Sequence, residues 1–231
     1  ELAAIYRTEV DSTYEPEEKR QRLVSLAELH QEKLGDGASA IECYLECLSI
    51  DEEDQHALNA LESLYGQAEE WSALADLYSR MSETTYEESA LIGTLEKLGA
   101  VCQERLGDIA RAVETYERLL EIDPNHTLAL STLRDMYVAE ERWADLHEVL
   151  LKGLAATDEG SAQLEVLRAL GANALDNLGQ PETAAEFLYR VLETEPGDLA
   201  AYERVRAIYQ EQGRWYDVVE MTQQHLEATE G

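Results

Sequence analysis

Cys43 and Cys47 stand one helical turn apart and His30 lies shortly before them, so three soft ligands of the kind zinc accepts could meet in one place. A structural zinc site asks for a fourth. The positions equivalent to Cys43, Cys47 and Cys102 elsewhere in the chain hold Thr115 and Phe187, Leu119 and Val191, and His30 and Ala174. Mostly apolar equivalents predict small buried side chains, with no metal and no cofactor. An odd count of three cysteines argues against a disulfide framework and favours a reducing, cytoplasmic compartment. Catalytic signatures are missing: there is no Gly-rich phosphate loop, no His-Glu-x-x-His and no Gly-x-Ser-x-Gly. Carboxylate pairs abound, but among 49 Asp and Glu their proximity says nothing about acid and base roles. The chain reads as a non-enzyme.

A different chemistry is written in the carboxylates Glu32, Glu104 and Asp176, which recur at a spacing of 72 residues. An acid near a helix C-terminus opposes the macrodipole, where Lys or Arg is preferred, so keeping three of them hints at use. The alternative is a solvated helix face. Asn125-His126-Thr127 fits a glycosylation sequon, a tripeptide that also arises by chance.

The spacing of 72 is general. Trp71, Trp143 and Trp215 obey it, as do Tyr65, Tyr137 and Tyr209, and Gly35, Gly107 and Gly179. One module is therefore stacked on copies of itself, and function belongs on an extended surface. The reading divides the chain into residues 16–87, 88–159 and 160–231, preceded by a tail, 1–15, in which Leu2, Ile5, Tyr6 and Tyr14 align with Leu74, Leu77, Tyr78 and Tyr86. The chain thus opens inside a helix of an earlier copy, as a piece of a longer protein.

Eighteen Lys and Arg against 49 acids give a net charge of −31, which repels polyanions. Nucleic acids and anionic membrane surfaces are excluded as partners. No apolar stretch reaches the roughly 18 to 20 residues a membrane span requires, so direct insertion is not expected. Apolar residues at 45% and helical spacing point to a core and away from disorder.

Within each copy, turn signals predict four helices. In the second, a helix over 86–106 carries Leu91, Leu95, Leu98 and then Val101 or Cys102 on one face, and Gly107 ends it. Asp108 is placed to cap the next helix, with its stripe of Ala112, Val113, Tyr116, Leu119 and Leu120, up to Asp123-Pro124. Helices from about Thr127 to Val138 and Trp143 to Ala155 follow. Pro16 and Pro181 open helices, while Pro124 and Pro196 follow helix ends. The tryptophans, each opening a fourth helix, read as core wedges.

These residues resemble the tetratricopeptide repeat family. Leu98-Gly99, Gly107-Asp108, Ala112, Tyr116 and Asp123-Pro124 match its pattern in the second copy; Leu26-Ala27, Gly35-Asp36, Ala40, Tyr44 and Asp51 do so in the first, and Leu170-Gly171, Gly179, Ala184 and Pro196 in the third. The resemblance implies an all-α, right-handed solenoid of antiparallel helix hairpins. In the second hairpin of each copy, Glu62, Arg134 and Arg206 replace the family's small residue at the helix crossing, opposite Leu74, Leu146 and Val218, which predicts more open hairpins.

The family implies a scaffold that binds peptides or helices in a concave groove lined by the first helix of each hairpin. Carried over, that lining holds Glu28, Gln31, Glu32, Asn59, Ser63, Glu96, Gln103, Glu104, Ser131, Asp135, Arg168 and Asp176. Members that clamp a C-terminal carboxylate use groove Lys, Asn and Arg; a groove so poor in Lys and Arg points instead to a Lys/Arg-bearing peptide or amphipathic helix of another protein. The alternatives are a regulatory or sensor arm of an enzyme whose catalytic domain lies outside this sequence, and self-association through exposed solenoid ends.

Overall fold

Aspartates, glutamates and one histidine stop and start the helices. Asp36, Asp54, Glu87 and Asp198 each accept a backbone N–H of the first turn that follows, as does the ring of His126. Asp108 accepts from Arg111 N at 3.1 Å, the cap expected of it. In the computed structural model, which describes residues 2–157 and 160–230, with side chains to 228, these signals delimit thirteen α-helices and three π-helical turns, and no strand occurs among the described residues. The expected boundaries at 1, 159 and 231 lie outside the described residues.

Two compact units divide the chain at Thr115 and Tyr116. The first holds α1 (Leu2–Asp11), α2 (Pro16–Glu28), a π turn (Leu29–Leu34), α3 (Gly37–Ile50), α4 (Gln55–Gln67), α5 (Trp71–Thr84), α6 (Glu88–Ala100) and a second π turn (Val101–Leu106). Helix α7 (Ile109–Ile122) contains the division. The second unit holds α8 (Thr127–Ala139), α9 (Trp143–Ala156), α10 (Ser161–Ala172), a third π turn (Asn173–Asn177), α11 (Pro181–Thr194), α12 (Leu199–Glu211) and α13 (Trp215–Glu230). All four prolines fall where the sequence places them.

Each unit packs sequential helices, α2 on α3 and α4 on α5 in the first, α8 on α9 and α10 on α11 in the second. Their cores are the stripes read from the sequence: Leu23, Leu26, Ala27, Tyr44 and Leu48 are buried in one, and Leu167, Ala184, Leu188, Val191 and Val205 in the other.

The π turns are the main departure from the expected continuous first helices. They recur at one repeat position and end the same way. Gly35 and Gly107 adopt φ +64°, and the amides of Asp36 and Asp108 reach back to the carbonyls of His30 and Cys102 at 2.9 Å. A left-handed residue also follows α4, α8 and α12, where Glu69, Glu141 and Gly213 have φ +55°, +54° and +69°.

The tryptophans are not the core wedges expected. Trp71 and Trp143 are half-buried and Trp215 is 62% exposed. Each is the first residue of its helix, and a side chain there leans toward the helix N-terminus, away from the packed stripe. Trp71 lies beneath the Arg105 guanidinium, 4.8 Å from its ring centre.

Candidate functional site

Cys43 and Cys47 are buried, and burial pushes both thiols up, Cys47 to about 12, so they stay protonated and behave as small core side chains. Among the described residues no group of three His, Cys, Asp or Glu is arranged to hold a metal.

In the first unit, a carboxylate side chain emerges from each π turn. Leu29–Leu34 leaves Gln31 half-buried and Glu32 exposed, and Val101–Leu106 does the same for Gln103 and Glu104. The wider turn displaces these residues from the α-helical phase. Glu32 pairs with its sequence neighbour Lys33 at 3.7 Å, and Glu104 makes no ion pair among the described residues. Glu28 lies 3.5 Å from His56 Nε2 at the start of α4. Asn59 and Ser63 follow one turn apart on α4, both exposed, and Gln67 donates to the Ser63 hydroxyl at 2.9 Å. Glu96 is half-buried on α6.

The second unit uses its equivalents differently. Arg168 on α10 donates to Asp198 at 2.7 Å and also reaches Glu195, so the one cation assigned to the lining is committed to holding α10 against the cap of α12. Asp176, exposed in the third π turn, is met by Arg204 at 2.8 Å. Asp135 receives the Arg134 guanidinium at 3.0 Å, and the Ser131 hydroxyl donates to its own helix at Leu128 O. The acidic row is thus open at Glu32 and Glu104 and neutralised at Asp176.

Asp54 and Asp198 carry structural electrostatics that the sequence reading missed. Burial pushes each carboxyl up, but in Asp54 the Arg20 guanidinium, 2.5 Å away, and the amides of Ala57 and His56 more than offset it; in Asp198 the amide of Ala201 and Arg168 do so. Both lie below the usual carboxylate range. The two arginines approach from repeat positions one turn apart, so no fixed 72-residue spacing marks the pair.

Tetratricopeptide repeat profiles match residues 21–54 and 95–126, the hairpins that begin with α2 and α6. No curated protein matches the chain. Among solved structures, a tetratricopeptide repeat protein from Parabacteroides merdae is 18% identical, with 90% of this chain and 79% of that one covered at a TM-score of 0.42. MamA is 18% identical, with 91% and 92% covered at a TM-score of 0.41. YrrB, described as a tetratricopeptide repeat protein with an unusual peptide-binding site, is 17% identical, with 87% and 97% covered at 0.41.

Proposed function

We propose that this chain, which carries tetratricopeptide repeats, is a protein-interaction module without activity of its own that binds a Lys/Arg-bearing peptide or amphipathic helix on its acidic lining. The continuous solenoid of 72-residue copies over residues 1–231 belongs to the same proposal. The observation that carries it is the pair Glu32 and Glu104: exposed, at one repeat position, and with no ion pair closer than 3.7 Å among the described residues. A carboxylate already satisfied internally gains little from a ligand, whereas one facing water gains a complementary charge and raises the association rate. Glu28, Gln31, Asn59, Ser63, Glu96 and Gln103 are the rest of the first unit's share of the proposed lining; Ser131, Asp135, Arg168 and Asp176 are the second unit's share. No described helix is long and apolar enough to cross a membrane, which fits a module working in water.

The test replaces Glu32, Glu104 and Asp176 with Gln together. Stability should change by no more than about 1 kcal/mol, because exposed charges contribute little singly. Pulldown from native lysate at low salt should recover a Lys/Arg-bearing partner with the unaltered protein and much less with the variant. The difference should shrink as salt shortens the Debye length below about 8 Å. Equal recovery with matching thermal midpoints would leave the row a solvated face.

A further inference from the structure

The second hairpin of each copy carries a charge where a small residue would close the helix crossing, and the first two copies resolve it in opposite ways. In the first, Glu62 accepts from the Tyr78 hydroxyl at 3.0 Å and pairs with Lys97 at 2.8 Å. Tyr78 is buried, and Met81 follows it one turn later. The charge is met from within the unit.

In the second unit the residues 72 positions on remove all of these groups. Leu150 stands for Tyr78, Gly153 for Met81 and Ala169 for Lys97, while Arg134 stands for Glu62. What remains is an open cleft of about 190 Å³ between α8, α9 and α10, lined by Leu130, Val149, Leu150, Gly153 and Val166 and edged by Arg134 and the hydroxyl side chains of Thr127, Ser131 and Thr157. A Cβ added at Gly153 would meet nothing within 4 Å, and its φ is ordinary, so neither packing nor backbone requires glycine in the interior of α9. Glycine there weakens the helix. Its effect is to keep the cleft open. Among the described residues, Arg134 pairs only with Asp135, its neighbour in sequence, and both side chains are more than half exposed.

We infer that this cleft is a binding site for an apolar side chain of leucine or methionine size, presented by a protein partner in which a flanking carboxylate pairs with Arg134. The occupant supplies from outside what Tyr78, Met81 and Lys97 supply within the first unit, with the sign of the charge inverted. The inference rests on the interaction-module reading only in taking the occupant to be a polypeptide; it does not use the acidic row.

Three blocked dipeptides serve as probes, acetyl-Leu-Glu-amide, acetyl-Leu-Lys-amide and acetyl-Gly-Glu-amide, titrated into the full chain while backbone amide resonances are followed by NMR. The Leu-Glu probe should move the amides of Leu130, Leu150, Gly153 and Val166. Losing the leucine side chain should weaken binding at least about tenfold, and Leu-Lys should bind more weakly than Leu-Glu. Gly153→Met, which restores the first unit's filler, should abolish the shifts while the protein still melts cooperatively; Leu150→Tyr is the second filling variant should Gly153→Met fail to fold. Arg134→Glu should reverse the preference between the Glu and Lys probes. The Gln triple variant of the acidic row should bind Leu-Glu unchanged, so failure of the acidic lining and failure of the cleft give separate results. Shifts absent at about 20 mM probe, shifts centred elsewhere, or undiminished binding by the filled variants would each overturn the inference.

Discussion

Two hairpins of the second unit solve the same crossing with opposite residues. Where α10 meets α11, Gly171 is buried and a Cβ on it would come within 2.6 Å of Leu188 Cγ, so the helices are as close as a glycine allows. Where α8 meets α9, the corresponding place is held by Arg134, half exposed, and the neighbouring space is an open cleft. The tight crossing closes the space between its helices, while the other keeps a concavity beside a buried stripe of Leu133, Tyr137, Leu146 and Leu150. The difference is local to the crossing, since both hairpins bury a core.

The comparison breaks first at its tight member. Gly171→Val should cost about 3 kcal/mol by overpacking against Leu188, read as a fall in the chemical denaturation midpoint. Arg134→Ala, at the matching place in the open hairpin, should stay within about 0.5 kcal/mol. Similar losses in the two would mean that both crossings are closed.

The caps of the third helices give the next largest effect. Asp54 titrates below its usual range when folded, and an unfolded Asp titrates near about 3.9, so its contribution is full above that value and fades as pH falls through the lower folded one. Asp54→Asn retains a capping side chain but removes the charge that faces Arg20. The variant should be less stable by about 1 kcal/mol at pH 7, the low end for a charge-assisted bond whose arginine stays partly in water. The two stability curves should converge as pH falls through the lowered folded value. Protonation of the other carboxylates is common to both proteins and cancels in the difference. A gap independent of pH would show that the ion pair contributes nothing.

The smallest effect sharpens the open member. Gly153→Ala should raise stability by about 0.5 to 1 kcal/mol, since alanine favours the helix and its methyl meets no neighbour within 4 Å. A loss would mean that the cleft is narrower than its lining indicates.

Much of this was legible in the sequence, because helix caps, prolines and apolar stripes act over a few residues. Asp108, Pro16 and Pro181 sit where local chemistry puts them. Before the second π turn, the stripe Leu91, Leu95, Leu98 could continue at Val101 or at Cys102. Cys102 is the buried one, at ordinary α-helical spacing from Leu98, so this ambiguity did not by itself announce a widened turn. The tryptophans misled because an apolar residue counts toward a stripe even as the first residue of a helix, where the side chain faces away from it. Arg168 and Asp176 were legible as charges but not as pairs, since Asp198 and Arg204 lie a hairpin away and ion pairing has no period. Arg134 was legible as a departure from the small residue at the crossing, but the cleft was not, since it lies among residues of α8, α9 and α10 that only the fold brings together.

The left-handed residue after α4, α8 and α12 turns the chain into its own mutational record. The same turn is spelled Glu69, Glu141 and Gly213 at nearly one φ, so two copies hold a side chain in a conformation that costs an L-residue about 1 to 2 kcal/mol and the third does not. A protein with a single such turn keeps no internal standard for the strain it tolerates. Here the third copy already displays the relaxed spelling, and a lineage that duplicates this module inherits, with each new copy, a fresh place to try it.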